Sequence, residues 1–269
     1  MNNFTQRIIT GTVFVTVLLG AMLYDAWTSI ALFALITLLG VWEFYTLAEK
    51  AGVKPQKKTG TLIATIGYVM IALHTMGLID HRLLLIIIPL AFSIFIFELY
   101  SRAEKPFDNI AYTWLGIFYI AVPFALLSAL SFQEGVYKPH VMLGYFLLLW
   151  ASDSGAYVSG MSFGRTKLFE RISPKKTWEG TIGGGLISLT VAYILSNYFT
   201  ELSRFDWMVV SIIIVITGNL GDLAESLFKR SINVKDSGTI LPGHGGILDR
   251  FDAVFISAPF VFTYLLLRA

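Results

Sequence analysis

Residues 8–24 read IITGTVFVTVLLGAMLY, and after Asp25 and Ala26 residues 27–47 read WTSIALFALITLLGVWEFYTL. A hydrocarbon core about 30 Å thick needs roughly 20 apolar residues per helix, which is the scale of both runs. They are too long, and too apolar on every face, to be strands of a membrane barrel. A helix satisfies its own backbone groups, as lipid demands. No small-x-small cleavage site precedes Asp25 and a second run follows at once, so the first run reads as a retained span.

The same reading continues along the chain at approximately 60–79, 83–100, 110–130, 140–160, 180–199, 207–228 and 250–268. The predicted fold class is all-α: a polytopic integral membrane protein with about nine transmembrane helices. Composition agrees, with 55% hydrophobic and only 14% charged residues and a mean hydropathy of +0.69. A soluble domain carries about 25% charged residues. The net charge of +2 is too small to suggest a nucleic-acid partner, and the absence of cysteine rules out disulfides, thiolate metal sites and a cysteine nucleophile.

Placement of Lys and Arg sets the orientation. With the N-terminus cytoplasmic, the inner segments hold Arg7, Lys50, Lys54, Lys57, Lys58, Arg102 and Lys105. Further along they hold Arg165, Lys167, Arg171, Lys175, Lys176, Lys229, Arg230, Lys235 and Arg250. Only Arg82, Lys138, Arg204 and Arg268 fall outside, so the chain is predicted N-in and C-out. Two inner loops, 161–179 and 229–249, are dense in Gly, Lys, Arg and Ser. Spans in 1–135 carry almost no intramembrane charge, whereas 136–269 does. Packing and anchoring are thus expected of the first part, chemistry of the second.

The polar residues of the second part are concentrated. Helical spacing puts Asn219, Asp222, Ser226 and Lys229 on about one face, and Asp249 and Asp252 share a face three residues apart. If the last two spans pack together, three carboxylates converge near the cytoplasmic boundary. A charged Asp near a helix centre costs roughly 2.5–3.5 kcal/mol, so a cation must compensate: Arg250 and Lys229 in structural ion pairs, or a metal. Oxygen ligands without His or Cys suit Mg²⁺. The run Pro242-Gly-His244-Gly245-Gly246 is a tight turn whose N–H groups can face an anion. With Lys229, Arg230, Lys235 and Arg250 beside it, it reads as a phosphate cradle. A second cluster has Asp153 among small residues and Ser173-Pro-Lys175-Lys176-Thr-Trp178-Glu-Gly180 after it. The two lysines suit a triphosphate or follow from topology alone; Trp178 suits a base or the headgroup level. For Gly183–Gly185 close helix packing is the preferred reading. His74, His81 and His140 read as interfacial. Glu43 and Glu98 read as structural partners or as lipid-facing residues at a bundle seam, not as catalytic groups.

Ser226 to Asp252 resembles the phosphatidate cytidylyltransferases, or CDP-diglyceride synthases. In their pattern Ser-x-x-Lys-Arg is followed by Lys-Asp, Pro-x-His-Gly-Gly and Asp-Arg-x-Asp, and the run at 173–180 is similar too. The resemblance implies the reaction of CTP with phosphatidic acid to give CDP-diacylglycerol and pyrophosphate, a requirement for Mg²⁺, and a homodimer. A phosphate oxygen of the lipid would attack the α-phosphorus of CTP without a general base, at the cytoplasmic face of the cell membrane. Asp222, Asp249 and Asp252 are then expected as ligands of one or two cations, supported by Asp153 and Asn219. Lys175, Lys176, Lys229, Arg230, Lys235 and Arg250 would hold phosphates, with Gly245 and Gly246 in the turn and His244 donating a hydrogen bond. Two rivals are a related transferase acting on another lipid and an ion-coupled transporter. The latter predicts midplane carboxylates and paired repeats, neither of which the sequence shows.

Overall fold

A computed structural model describes residues 3–133, 135–238, 240, 243 and 245–268. Each of the nine predicted segments falls on a helix. In chain order these are α1 (Asn3–Tyr24), α2 (Ala26–Lys50), α3 (Lys57–Thr75), α4 (Ile87–Leu99, entered through a 3₁₀ turn at His81–Ile86), α5 (Pro106–Gly116) and α6 (Val122–Ala129). They continue with α7 (His140–Phe163), α8 (Trp178–Leu195), α9 (Arg204–Ser231) and α10 (Leu248–Arg268). α5 and α6 form one rod, which also contains the π turn Ile117–Ala121. Among the described residues, seven helical segments are long and apolar enough to cross a membrane; α3 and α8 are not among them. The protein is a multi-pass, almost wholly helical molecule.

Local chemistry explains the breaks. Asp25 ends α1 and caps α2, its Oδ2 accepting from Trp27 N at 3.0 Å. Pro123 cannot donate to the carbonyl four residues back, and the helix widens just before it, Val122 N donating to Ile117 O. The all-α expectation omitted two short ladders: β1 (Phe132–Gln133) with β2 (Val136–Tyr137), and β3 (Lys167–Phe169) with β4 (Ser173–Thr177). The second lies within the predicted inner loop 161–179, which is therefore partly ordered. α9 runs on to Ser231, placing Lys229 and Arg230 in its last turn, where cations meet the negative end of the helix dipole.

The chain divides into two compact units, 1–137 with 232–251, and 138–231 with 252–269. In the first, Tyr45 is fully buried and donates to Thr113 O at 2.6 Å. Gly60 and Gly116 leave room for its ring. Glu98 binds α4 to its neighbours, accepting from Gln56 Nε2 at 2.7 Å and Asn109 Nδ2 at 2.8 Å. It is a structural partner.

In the second unit α7 and α8 meet through small residues, and the close packing preferred for Gly183–Gly185 is seen there at Gly183 and Gly184. A Cβ on Gly183 would strike Ser159, and one on Gly184 would lie 2.5 Å from Ser152 O. Buried hydroxyls bind the helices further: Ser188 Oγ donates to Leu148 O at 3.1 Å, and Tyr145 meets Ser257. Trp207, fully buried, lies against Gly144 and donates to Phe199 O at 3.0 Å. His140 pairs with Glu201 at 2.5 Å just ahead of α9.

Candidate active site

The acidic and basic groups of the second unit gather about α9. Lys176 Nζ lies 2.5 Å from Asp222 Oδ2 and donates to Asn219 Oδ1 at 3.2 Å. The Asn219 amide is itself steadied by donating to Val215 O at 2.8 Å, and Ser226 Oγ donates to Asp222 Oδ1 at 3.3 Å. The predicted face of α9 thus exists from Asn219 to Ser226. Lys229, expected on it, instead pairs with Glu225 at 2.6 Å, one helical turn away. Glu225 is only 1% exposed, so this pair is an internal one.

The hairpin delivers Lys176. Thr177 accepts from Gly180 N at 3.2 Å and caps α8. Glu179 in the first turn of α8, ahead of the predicted span, accepts from Arg165 N and Thr166 N, both at 3.1 Å. These donors, the backbone N–H of Arg165 foremost, then the residue's own N–H and the Thr166 hydroxyl and N–H, hold the Glu179 carboxyl down at about 2. With both ends of the hairpin pinned, strand alternation sends Lys176 inward and leaves Lys175 exposed on the other face. The two adjacent lysines therefore leave the strand on opposite faces.

Asp252 lies within electrostatic reach of Asp222, Glu225 and Asp153. Gly221 makes this approach possible, because a Cβ there would lie 2.6 Å from Asp252 O. Asp153 is exposed on α7. Among the described residues no three carboxylates or imidazoles converge closely enough to chelate an ion by themselves; Asp222 is engaged by Lys176 and Asp252 accepts from Ala253 N at 2.7 Å. The donor set nevertheless suits a hard cation that takes one or two carboxylates and completes its shell with phosphate. The ammonium group held on Asp222 shows that a positive charge is stabilised at this point.

In the first unit, Ser237 and the residues Gly246, Ile247 and Leu248 meet two carboxylates. Asp249 Oδ2 accepts from Ser237 N at 3.0 Å, Ser237 Oγ at 2.9 Å and Gly246 N at 2.9 Å. Glu43 of α2 accepts from Ile247 N at 3.0 Å, Leu248 N at 3.2 Å and Ser237 Oγ. Gly245 takes φ +84°, open to glycine, and a Cβ on Gly246 would overlap Glu43 Oε1 and Ser237 Oγ. The anions met by the backbone N–H groups of Gly246, Ile247 and Leu248 are the protein's own. Arg230, Lys235 and Arg250 are exposed; His244 and Pro242 lie outside the described residues. Glu43 was not expected here. Its one signal in the sequence is an acid standing alone in an apolar span.

A model of the cytidylyltransferase family matches residues 5–268. The chain belongs to the cytidylyltransferase family. Among its relatives, the phosphatidate cytidylyltransferase of Rickettsia typhi is 34% identical over 225 residues, covering 81% of this chain and 96% of that protein. The protein of the same name from Staphylococcus aureus is 37% identical over 202 residues, 74% of this chain and 76% of the other. That from Staphylococcus haemolyticus is 40% identical over 175 residues, 64% and 65% respectively. As a cytidylyltransferase, the chain is a nucleotidyl-transferring enzyme, and Ser226 to Asp252 falls inside the matched region.

Proposed function

We propose that this cytidylyltransferase acts on phosphatidate, converting it with CTP to CDP-diacylglycerol and pyrophosphate. The observation that carries the reading is the meeting of Lys176 with Asp222 and Asn219 in a helical membrane protein of this family. A phosphate oxygen of the lipid, already ionised near neutral pH, attacks the α-phosphorus of CTP. The bond from that phosphorus to the bridging oxygen breaks, and pyrophosphate leaves with its electron pair. No general base is needed, which fits a site rich in Asp, Lys and Arg. The protein's task is to bring two anions together and to stabilise charge on the leaving group.

Lys176 holds a phosphate oxygen, helped by the exposed Lys175, Arg230, Lys235 and Arg250 and by Lys229 once it turns from Glu225. Gly245 and Gly246 shape the turn, and His244 donates a hydrogen bond to a phosphate. Asp222, Asp249 and Asp252, with Asp153 and Asn219 in support, would hold Mg²⁺, which neutralises phosphate charge when bound. All nine helices span the membrane, N-terminus in the cytoplasm and C-terminus outside, with the site at the cytoplasmic face of the cell membrane. The working form is a homodimer.

The test is purified protein in detergent with phosphatidic acid, labelled CTP and Mg²⁺, against an EDTA control. A labelled lipid and pyrophosphate, formed only with metal, are expected. Label passing to polyprenyl phosphate in preference to phosphatidic acid would overturn the substrate assignment.

A further inference from the structure

We propose that Glu43 is a positioning residue for nucleotidyl transfer, acting through Ser237 and Asp249. The inference rests on the reading of Asp249 as part of the reacting centre.

Glu43 is 4% exposed, in a helix whose neighbouring Val41 and Phe44 are 0% and 1% exposed. A carboxylate in such a place is expensive unless donors surround it. All of its donors come from one remote segment. Ile247 N and Leu248 N stand at the start of α10, where N–H groups have no partner within the helix and a negative charge is favoured by the dipole. Ser237 Oγ stands at the segment's other end. Glu43 thus clasps the segment at both ends, and its seat is tight. Gly246 abuts its Oε1, and a Cβ on Gly238 would lie 2.8 Å from its Oε2.

The Ser237 hydroxyl gives this clasp a consequence for chemistry. It touches Glu43 and also lies 2.9 Å from Asp249 Oδ2. A hydroxyl has one hydrogen, so its donation to one carboxylate is withdrawn from the other. The direction in which Asp249 presents its oxygens is therefore coupled to Glu43. An anchor that only joined α2 to α10 would not need that shared hydroxyl.

The test compares Glu43→Gln, Ser237→Ala and the double variant in the full-length protein. It reads kcat, KM for CTP and for phosphatidic acid, and amide exchange at Ile247 and Leu248. Glu43→Gln keeps the shape but turns an NH₂ toward N–H donors. Its expected kcat is about 10- to 100-fold lower, with both KM values within about threefold and faster exchange at the two amides. The double variant should be no slower than the slower single one, because both act on one network. A folded Glu43→Gln protein with wild-type kcat, or a double variant whose losses multiply, would overturn the proposal. Should Glu43→Gln not fold, Ser237→Ala alone decides: unchanged kcat sinks the idea, and a drop at unchanged KM upholds it. Asp249→Asn separates the two layers. If it is inactive while Glu43→Gln is normal, positioning fails alone; if wild type makes no labelled lipid from CTP and phosphatidic acid, the underlying function fails.

Discussion

Lys176 Nζ rests 2.5 Å from Asp222 Oδ2, joining a β-strand at the start of α8 to the polar end of α9. Removing one member of such a partly buried pair strands the other. Asp222→Asn should lower turnover by about 100-fold or more while the protein remains folded and membrane-inserted. Lys176→Met should raise KM for CTP more than it lowers kcat, if the ammonium holds substrate phosphate. Steady-state kinetics on detergent-purified variants, with circular dichroism as the folding control, would check both. A Lys176→Met enzyme with unchanged kinetics would remove the lysine from the site.

Metal removal offers a second check. Excess EDTA should abolish product, and added Mg²⁺ should restore it. Ca²⁺, larger and less demanding of octahedral geometry, should restore less. Product measured against free metal concentration for wild type and Asp252→Asn should show a higher metal requirement in the variant.

The hairpin that presents Lys176 should depend on acid in one direction only. Glu179 has its folded pKa lowered to about 2 from an ordinary 4.5. Its contribution is therefore complete above about pH 4.5, is lost progressively as pH falls toward about 2, and does not vary between pH 5 and 9. Amide exchange at Arg165 and Thr166 should accelerate over that acid window, and Glu179→Gln should show faster exchange already at neutral pH.

Gly246→Ala and Gly52→Ala make a contrasting pair. Gly52 has φ +81° but nothing within 4 Å of a Cβ, so alanine there should cost about 1 kcal/mol in backbone strain alone. At Gly246 the added carbon meets Glu43 Oε1 and Ser237 Oγ, and the turn must move. Turnover should fall at least tenfold in Gly246→Ala and stay near normal in Gly52→Ala.

The lack of cysteine makes single-cysteine labelling free of background. Cysteine at Lys58 should react only with reagent reaching the cytoplasmic side, and cysteine at Lys138 only from outside. The reverse pattern would invert the proposed topology.

The helices were legible because span length and apolar content are properties of neighbouring residues. Residues 8–24 and 27–47 needed nothing beyond themselves, and Asp25 announced the break. The face from Asn219 to Ser226 was legible for the same reason, being set by helical period. Pairings made in space were not. Lys229 chose Glu225 over Asp222, although both lie on its own helix. The separation of Lys175 from Lys176 needed a strand where a loop was expected. Glu43 met donors 194 to 205 residues away, a match no local period encodes.

That separation also has a history within each molecule. Chains are synthesised at about 5–20 residues per second, so Glu43 precedes Ser237 by roughly 10 to 40 seconds of translation. Throughout that interval α2 must carry an acid whose hydrogen-bond donors do not yet exist. A nascent chain is thus unfinished chemically as well as in length until the start of α10 arrives. Chains truncated before Ser237 would leave an unsatisfied carboxylate within their second helix, a mark by which membrane proteases could tell incomplete copies from finished ones.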